Sequence, residues 1–162
     1  MFLKGVAIGL GATLFLDLCN LVLTRVFKMP AANFCLVGRW FCHMPRGVFA
    51  HPSIAKAAPM PGECAAGWIA HYAIGAGFAI FFVALVSPEW LAAPTPGPPL
   101  LFGLVTVALP FFVMHPPFGL GIAASRTPSP THARLRSMLS HGLFGLGLYL
   151  SALALRLTAW DG

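Results

Sequence analysis

The sequence predicts an all-α integral-membrane protein, a four-helix bundle with an ordered, partly helical first cytoplasmic connection. Three observations carry that prediction. Hydrophobic residues make up 58% of the chain and charged residues only 9%, with a mean hydropathy of +0.82; soluble proteins carry about 25% charged residues. Four stretches, roughly 2–23, 65–86, 99–120 and 138–157, approach or exceed the ~20 apolar residues that cross a hydrocarbon core. Almost everything between them is connection, so residues 1–162 read as a single transmembrane domain.

The first stretch follows Lys4 and could pass for a secretory signal. Asp17 and Asn20 interrupt its end, no small-x-small cleavage site follows, and no lipobox precedes Cys19, so it reads as a retained helix. The connection over 24–62 is the longest. Within it Asn33 caps a short amphipathic helix over 33–44, whose aromatic content places it on the membrane surface or between helices. Pro45, Pro52, Pro59 and Pro61 then break regular structure, while Phe, Trp and Ile argue for ordered packing. Connections of this length are more often functional or disordered than simple linkers.

The second connection, 87–98, is short and Pro-rich, which makes the second and third spans antiparallel neighbours. Pro110 falls in the middle of the third span and predicts a kink. Small residues recur at helical spacing, as in Gly5-x-x-x-Gly9, Ala7-x-x-x-Gly11 and Ala73-x-x-x-Gly77, and Gly142, Gly145 and Gly147 crowd the fourth span. In a bilayer such residues let backbones approach closely. Trp40 and Trp68 sit near one interface, Trp90 and Trp160 near the other, as aromatic belts require.

The net charge of +6 is too thinly spread for nucleic acid and follows topology instead. Arg25, Lys28, Arg39, Arg46 and Lys56 belong to the first connection and Arg126, Arg134 and Arg136 to the third, while the second has no Lys or Arg. The positive-inside rule then puts the first and third connections in the cytoplasm and both termini outside, with Lys4 and Arg156 opposing weakly. On that topology Cys35, Cys42 and Cys64 face a reducing compartment and Cys19 lies in a helix, so no disulfide framework is expected.

Each span carries one polar or small-residue stripe, and lipid cannot satisfy such groups, so the stripes should face inward. Thr13, Asp17, Asn20 and Thr24 share one face of the first span; Glu63, Gly67, His71 and Gly75 one face of the second; Ser137, His141, Gly145 and Tyr149 one face of the fourth. The third offers Thr106, Pro110 and His115. Asp17 is the sharpest anomaly, because an intramembrane carboxylate must be neutral, paired or wetted. It lies on the order of 10 Å from the cytoplasmic end of its helix at 1.5 Å rise per residue, and His71 enters to a similar depth. An Asp17–His71 pair is the expected partnership. It could hold a proton near neutrality for acid–base work, or simply lock the bundle.

Arg39, His43, Arg46 and His51 lie among aromatics in the first connection, a mixture that suits an anionic headgroup or phosphate and equally suits topology and anionic lipid. No His-x-x-x-His or Cys-x-x-Cys spacing marks a metal site, and no nucleophile elbow or phosphate loop occurs.

Several of these segments together resemble a known family. They are Leu36-Val-Gly-Arg-Trp40, His43-Met-Pro-Arg-Gly47 with Phe49 and His51, Pro61-Gly-Glu63, Gly67-Trp-Ile-Ala-His-Tyr-Ala-Ile-Gly75, Gly121-Ile-Ala-Ala-Ser-Arg-Thr-Pro128 and His141-Gly-Leu-Phe-Gly-Leu-Gly-Leu-Tyr149. They resemble the bacterial family of domain of unknown function 2938, over nearly the whole chain. The resemblance implies a small inner-membrane protein of four helices and supplies no reaction. His115 departs from it, standing where an amide-bearing side chain is expected.

The expectation is a multi-pass protein of a bacterial inner membrane, with a cytoplasm-facing polar pocket for a small or lipid-derived ligand. Asp17, His71 and His141 are the candidate catalytic residues; Asn20, Arg39, His43, Arg46, His51, Glu63 and Tyr72 are the candidate ligand-binding residues. Membrane lipids and a second copy of the chain are the expected partners, and no cofactor is identified. The competing readings are an enzyme using Asp17 and His71 as an acid–base pair, a structural subunit, and a proton-coupled transporter. The apolar outer half of the bundle opposes the transporter.

Overall fold

The computed structural model describes residues 1–30 and 32–158. Trp160, expected at an interface, lies outside the described residues. Four helical segments among the described residues are long and apolar enough to cross a membrane, namely Phe2–Phe27, Glu63–Leu85, Gly97–Met114 and Pro130–Leu157, and no strand accompanies them.

Helix α1 (Phe2–Phe27) runs four residues past the expected Leu23. It stops where Lys28 turns into the left-handed region at φ 55°, so that the N–H groups of Lys28 and Met29 both reach the Leu23 carbonyl. Helix α2 (Phe34–His43) begins where expected, with the Asn33 side-chain oxygen accepting from the Cys35 N–H at 3.1 Å. Single 3₁₀ turns at Met44–Arg46 and Ile54–Lys56 lead to helix α3 (Glu63–Leu85). Short α4 (Pro88–Ala92) has Ser87 as its N-cap and proline at its first position, where a missing N–H costs nothing.

Helix α5 (Gly97–Thr106) is where the third span departs from expectation. Proline cannot donate, and beyond a break at Val107 the chain continues as a π-type turn over Pro110–Met114, in which the His115 N–H reaches back five residues to the Pro110 carbonyl at 2.8 Å. The span ends there rather than at Leu120, because Pro116, Pro117 and the left-handed Gly119 and Gly121 follow. Helix α6 (Pro130–Leu157) starts eight residues before the expected 138, with Pro130 at its first turn, and so takes in Arg134 and Arg136.

The described residues fall into two compact units. The bundle unit comprises those of 1–31, 72–105 and 140–162, and the loop unit those of 32–71 and 106–139.

In the bundle unit Ile8, Ala12, Leu16, Ala79, Phe82, Val83, Phe144, Leu148 and Ala152 form the core. The opposite stripe of α1, made of Leu10, Leu14, Leu18 and Leu21, is exposed, as a lipid-facing helix requires. Backbones meet closely where side chains are small. A methyl on Gly9 would collide with the backbone at Ala76, and one on Gly103 with the His141 carbonyl. The expected small-residue pair at Ala73 and Gly77 forms no such seam, since Gly77 opens onto free space among the described residues.

In the loop unit the buried Ile54, Phe118 and Ala124 anchor the two halves of the chain. His51 N–H donates to the Pro117 carbonyl at 2.8 Å and Ile54 N–H to the Phe118 carbonyl at 3.1 Å. Trp40 donates its indole N–H to the Phe49 carbonyl at 2.7 Å and meets the Phe118 ring edge-on at 5.5 Å. The described part of the first connection is therefore ordered, as its aromatic content implies.

Candidate functional site

The loop unit is organised by one crossing. Helices α2 and α3 approach where Gly38 and Gly67 face each other's backbones; a methyl on Gly38 would overlap the Glu63 carbonyl, and one on Gly67 the Phe34 carbonyl. One turn before each glycine stands a cysteine, and with no side chains wedged between the helices Cys35 and Cys64 come to a Cα separation of 3.9 Å and are joined as a disulfide. This corrects the expectation of uniformly free thiols. A reducing compartment bears on whether a thiol stays reduced, whereas the pairing follows from a backbone approach that 29 residues of separation give no hint of. Cys19 and Cys42 are free.

Beside the disulfide lies a polar cluster of the loop unit. The Arg39 guanidinium grips Glu63 in a fork, Nε to Oε2 at 2.8 Å and Nη2 to Oε1 at 2.7 Å. Its Nη1 donates to the carbonyls of Ile54, Ala55 and Ala57 at 3.3, 3.3 and 3.1 Å. Glu63 Oε2 also accepts from the Met60 N–H at 2.8 Å. Hydrogen bonding to the carboxylate pushes the Arg39 pKa up. Both side chains are 12% exposed. Arg39 and Glu63 are thus committed to each other and to the turn at 54–57, and this geometry supports a fastening role for both.

The histidines occupy different settings. His43 is buried and its Nε2 lies 3.0 Å from the Ala58 carbonyl, so that nitrogen carries the hydrogen. Its ring meets that of His51 edge-on at 4.9 Å. His51 Nε2 and His115 Nδ1 are buried atoms without a hydrogen-bond partner among the described residues. Burial, then the neighbouring His43, push the His51 pKa down and favour its neutral form. Arg46 is exposed on the same connection. His71 stacks on Phe34 at 3.9 Å, with Trp68 edge-on to it at 5.8 Å and tilted against Phe34 at 4.9 Å. No group of three or more His, Cys, Asp or Glu side chains able to hold a metal ion occurs among the described residues.

The bundle unit carries the intramembrane carboxylate. Asp17 Oδ2 accepts a hydrogen bond from the Tyr72 hydroxyl at 2.9 Å, so Tyr72, expected as a ligand contact, supports the carboxylate. Thr13 turns its hydroxyl back to the Gly9 carbonyl at 2.8 Å, a bond that satisfies it within its own helix. Asn20 follows Asp17 by three residues on the polar stripe of α1. The His141 ring is hydrogen-bonded to the Gly103 backbone, at the place where α5 and α6 approach through Gly103 and Gly145.

Sequence reasoning named every one of these polar residues but not three of their roles: the Arg39–Glu63 fork, the phenol on Asp17 and the cysteine pair. The one signal available for the first was opposite charge in a chain with only four acidic residues.

The family described as "Protein of unknown function (DUF2938)" matches residues 6–155. No curated protein and no solved structure matches the chain significantly.

Proposed function

From the premise that this chain belongs to the DUF2938 family, whose description carries no activity, we propose that it is a multi-pass membrane protein whose loop unit binds a phosphate-bearing lipid headgroup or a comparable small anion. The observation that carries this reading is the buried, unpartnered Nε2 of His51, in the loop unit that also exposes Arg46. Buried polar atoms are nearly always hydrogen-bonded, and an exception marks a place for a further group. A neutral imidazole offers that group a donor or an acceptor, and an exposed guanidinium on the same connection favours an anion.

The Arg-rich first and third connections support a cytoplasmic location for 24–62, in a bacterial inner membrane with both termini outside. Membrane lipid is then both the solvent and the source of the ligand. A second copy of the chain remains part of this reading as a partner, through exposed small residues such as Ala73 and Gly77.

Native mass spectrometry of the full chain, extracted together with its lipids, tests the proposal. Wild type should retain a phosphate-bearing lipid or small anion, and His51→Ala or Arg46→Ala should lose at least about nine-tenths of it while the protein stays folded. A bare wild-type protein, or equal retention in both variants, would falsify it.

A further inference from the structure

We propose that Cys35 and Cys64 form a reversible thiol–disulfide exchange site whose partner is a cytoplasmic dithiol. The proposal rests on the cytoplasmic orientation of 24–62 argued above, not on the ligand.

Four observations combine. The two cysteines are bonded, so they are within reach of each other without rearrangement. The crossing that holds them does not depend on the bond: the Gly38–Gly67 backbone approach and the Arg39–Glu63 fork, one turn from Cys35 and next to Cys64, fasten α2 to α3 independently. The dithiol form therefore keeps its two sulfurs adjacent, as a pair that must re-form requires. Cys64 is exposed, so an attacking thiolate can reach it, whereas Cys35 is half-buried. Finally, eight basic residues in and beside the first and third connections support a reducing compartment for this region, where disulfides are transient and exchange-active rather than structural.

The chemistry is ordinary exchange. A thiolate of the partner attacks Cys64 Sγ, the Cys35–Cys64 bond breaks and Cys35 leaves as a thiolate. The second thiolate of the partner then attacks the mixed disulfide at the partner's own sulfur, and Cys64 leaves. Two electrons pass to the cysteine pair; the partner ends as a disulfide, and two protons, from the partner's thiols or from water, complete Cys35 and Cys64 as thiols. Formation is the reverse, with an oxidised dithiol as electron acceptor. Phe34, next to Cys35, stacks on His71 and is tilted against Trp68, which puts this aromatic group beside the exchange site.

The test uses the wild-type full chain in living cells. Thiols are trapped with a membrane-permeant alkylating agent before exposure to a permeant oxidant, immediately after it, and again after recovery; the Cys35 and Cys64 peptides are then quantified by mass spectrometry. Cys35 and Cys64 should be mostly alkylated before oxidation, at least about four-fifths disulfide-bonded after it, and alkylated again on recovery, with Cys19 unbonded throughout. A pair fully bonded before oxidant and unmoved by a permeant dithiol reductant overturns the proposal in favour of a structural bond. A pair that stays free after oxidant also overturns it. A parallel sample of spheroplasts treated with a membrane-impermeant maleimide separates the premise: labelling of Cys64 from outside refutes the orientation, while the oxidation cycle still judges the exchange site.

Discussion

Arg39 and Glu63 show how one pair can organise a loop that has little regular structure. The guanidinium spends its donors on one carboxylate and three carbonyls of the 54–57 turn, and the carboxylate also receives the Met60 N–H. Replacing Glu63 by Gln removes the charge but little volume and leaves a mostly covered guanidinium without its anion. A forked, charge-assisted pair of this exposure contributes about 1–2 kcal/mol. Glu63→Gln should accordingly lower the thermal unfolding midpoint of the detergent-solubilised protein by several degrees, and Arg39→Lys, which cannot reproduce the fork, should do nearly the same. An unchanged midpoint in both would remove the pair from any structural role.

At the scale of elements, glycine decides how helices meet. Gly38 and Gly67 let α2 lie backbone-to-backbone on α3, and the nearest atoms a β-carbon on Gly38 would meet are backbone, the Glu63 carbonyl and the Gly67 nitrogen. Gly38→Ala should cost at least about 2 kcal/mol, the scale of an overpacked contact that cannot relax. Gly77→Ala is the matched control, because nothing lies within 4 Å of its β-position; its effect should stay within about 1 kcal/mol, the size of the helix-propensity difference. Thermal unfolding of the two variants side by side checks both. The same comparison shows why spacing misleads: Gly5–Gly9 and Ala73–Gly77 share the spacing of two small residues, yet Gly5 and Gly9 abut the α3 backbone while Gly77 faces open space among the described residues.

For the molecule as a whole, the distribution of basic residues makes the clearest prediction. A phosphatase reporter that is active only outside the cytoplasm should work when fused within 93–97 and fail when fused within 47–50 or 125–129. The reverse pattern would invert the topology and move the first and third connections to the other side of the membrane.

The sequence by itself determined the class of this protein. Apolar runs of membrane length, a carboxylate that lipid cannot solvate, an Asn33 cap and Pro110 in the third span are each local features with local physical consequences, and the helices follow from them. The boundaries shifted where turn chemistry intervened, as at Lys28 and after Met114. Only the tertiary structure decided who meets whom. The partners of Arg39 and Asp17 are 24 and 55 residues away, and Cys35 finds Cys64 across 29. No periodicity encodes such meetings, because they depend on which small residues let two backbones touch.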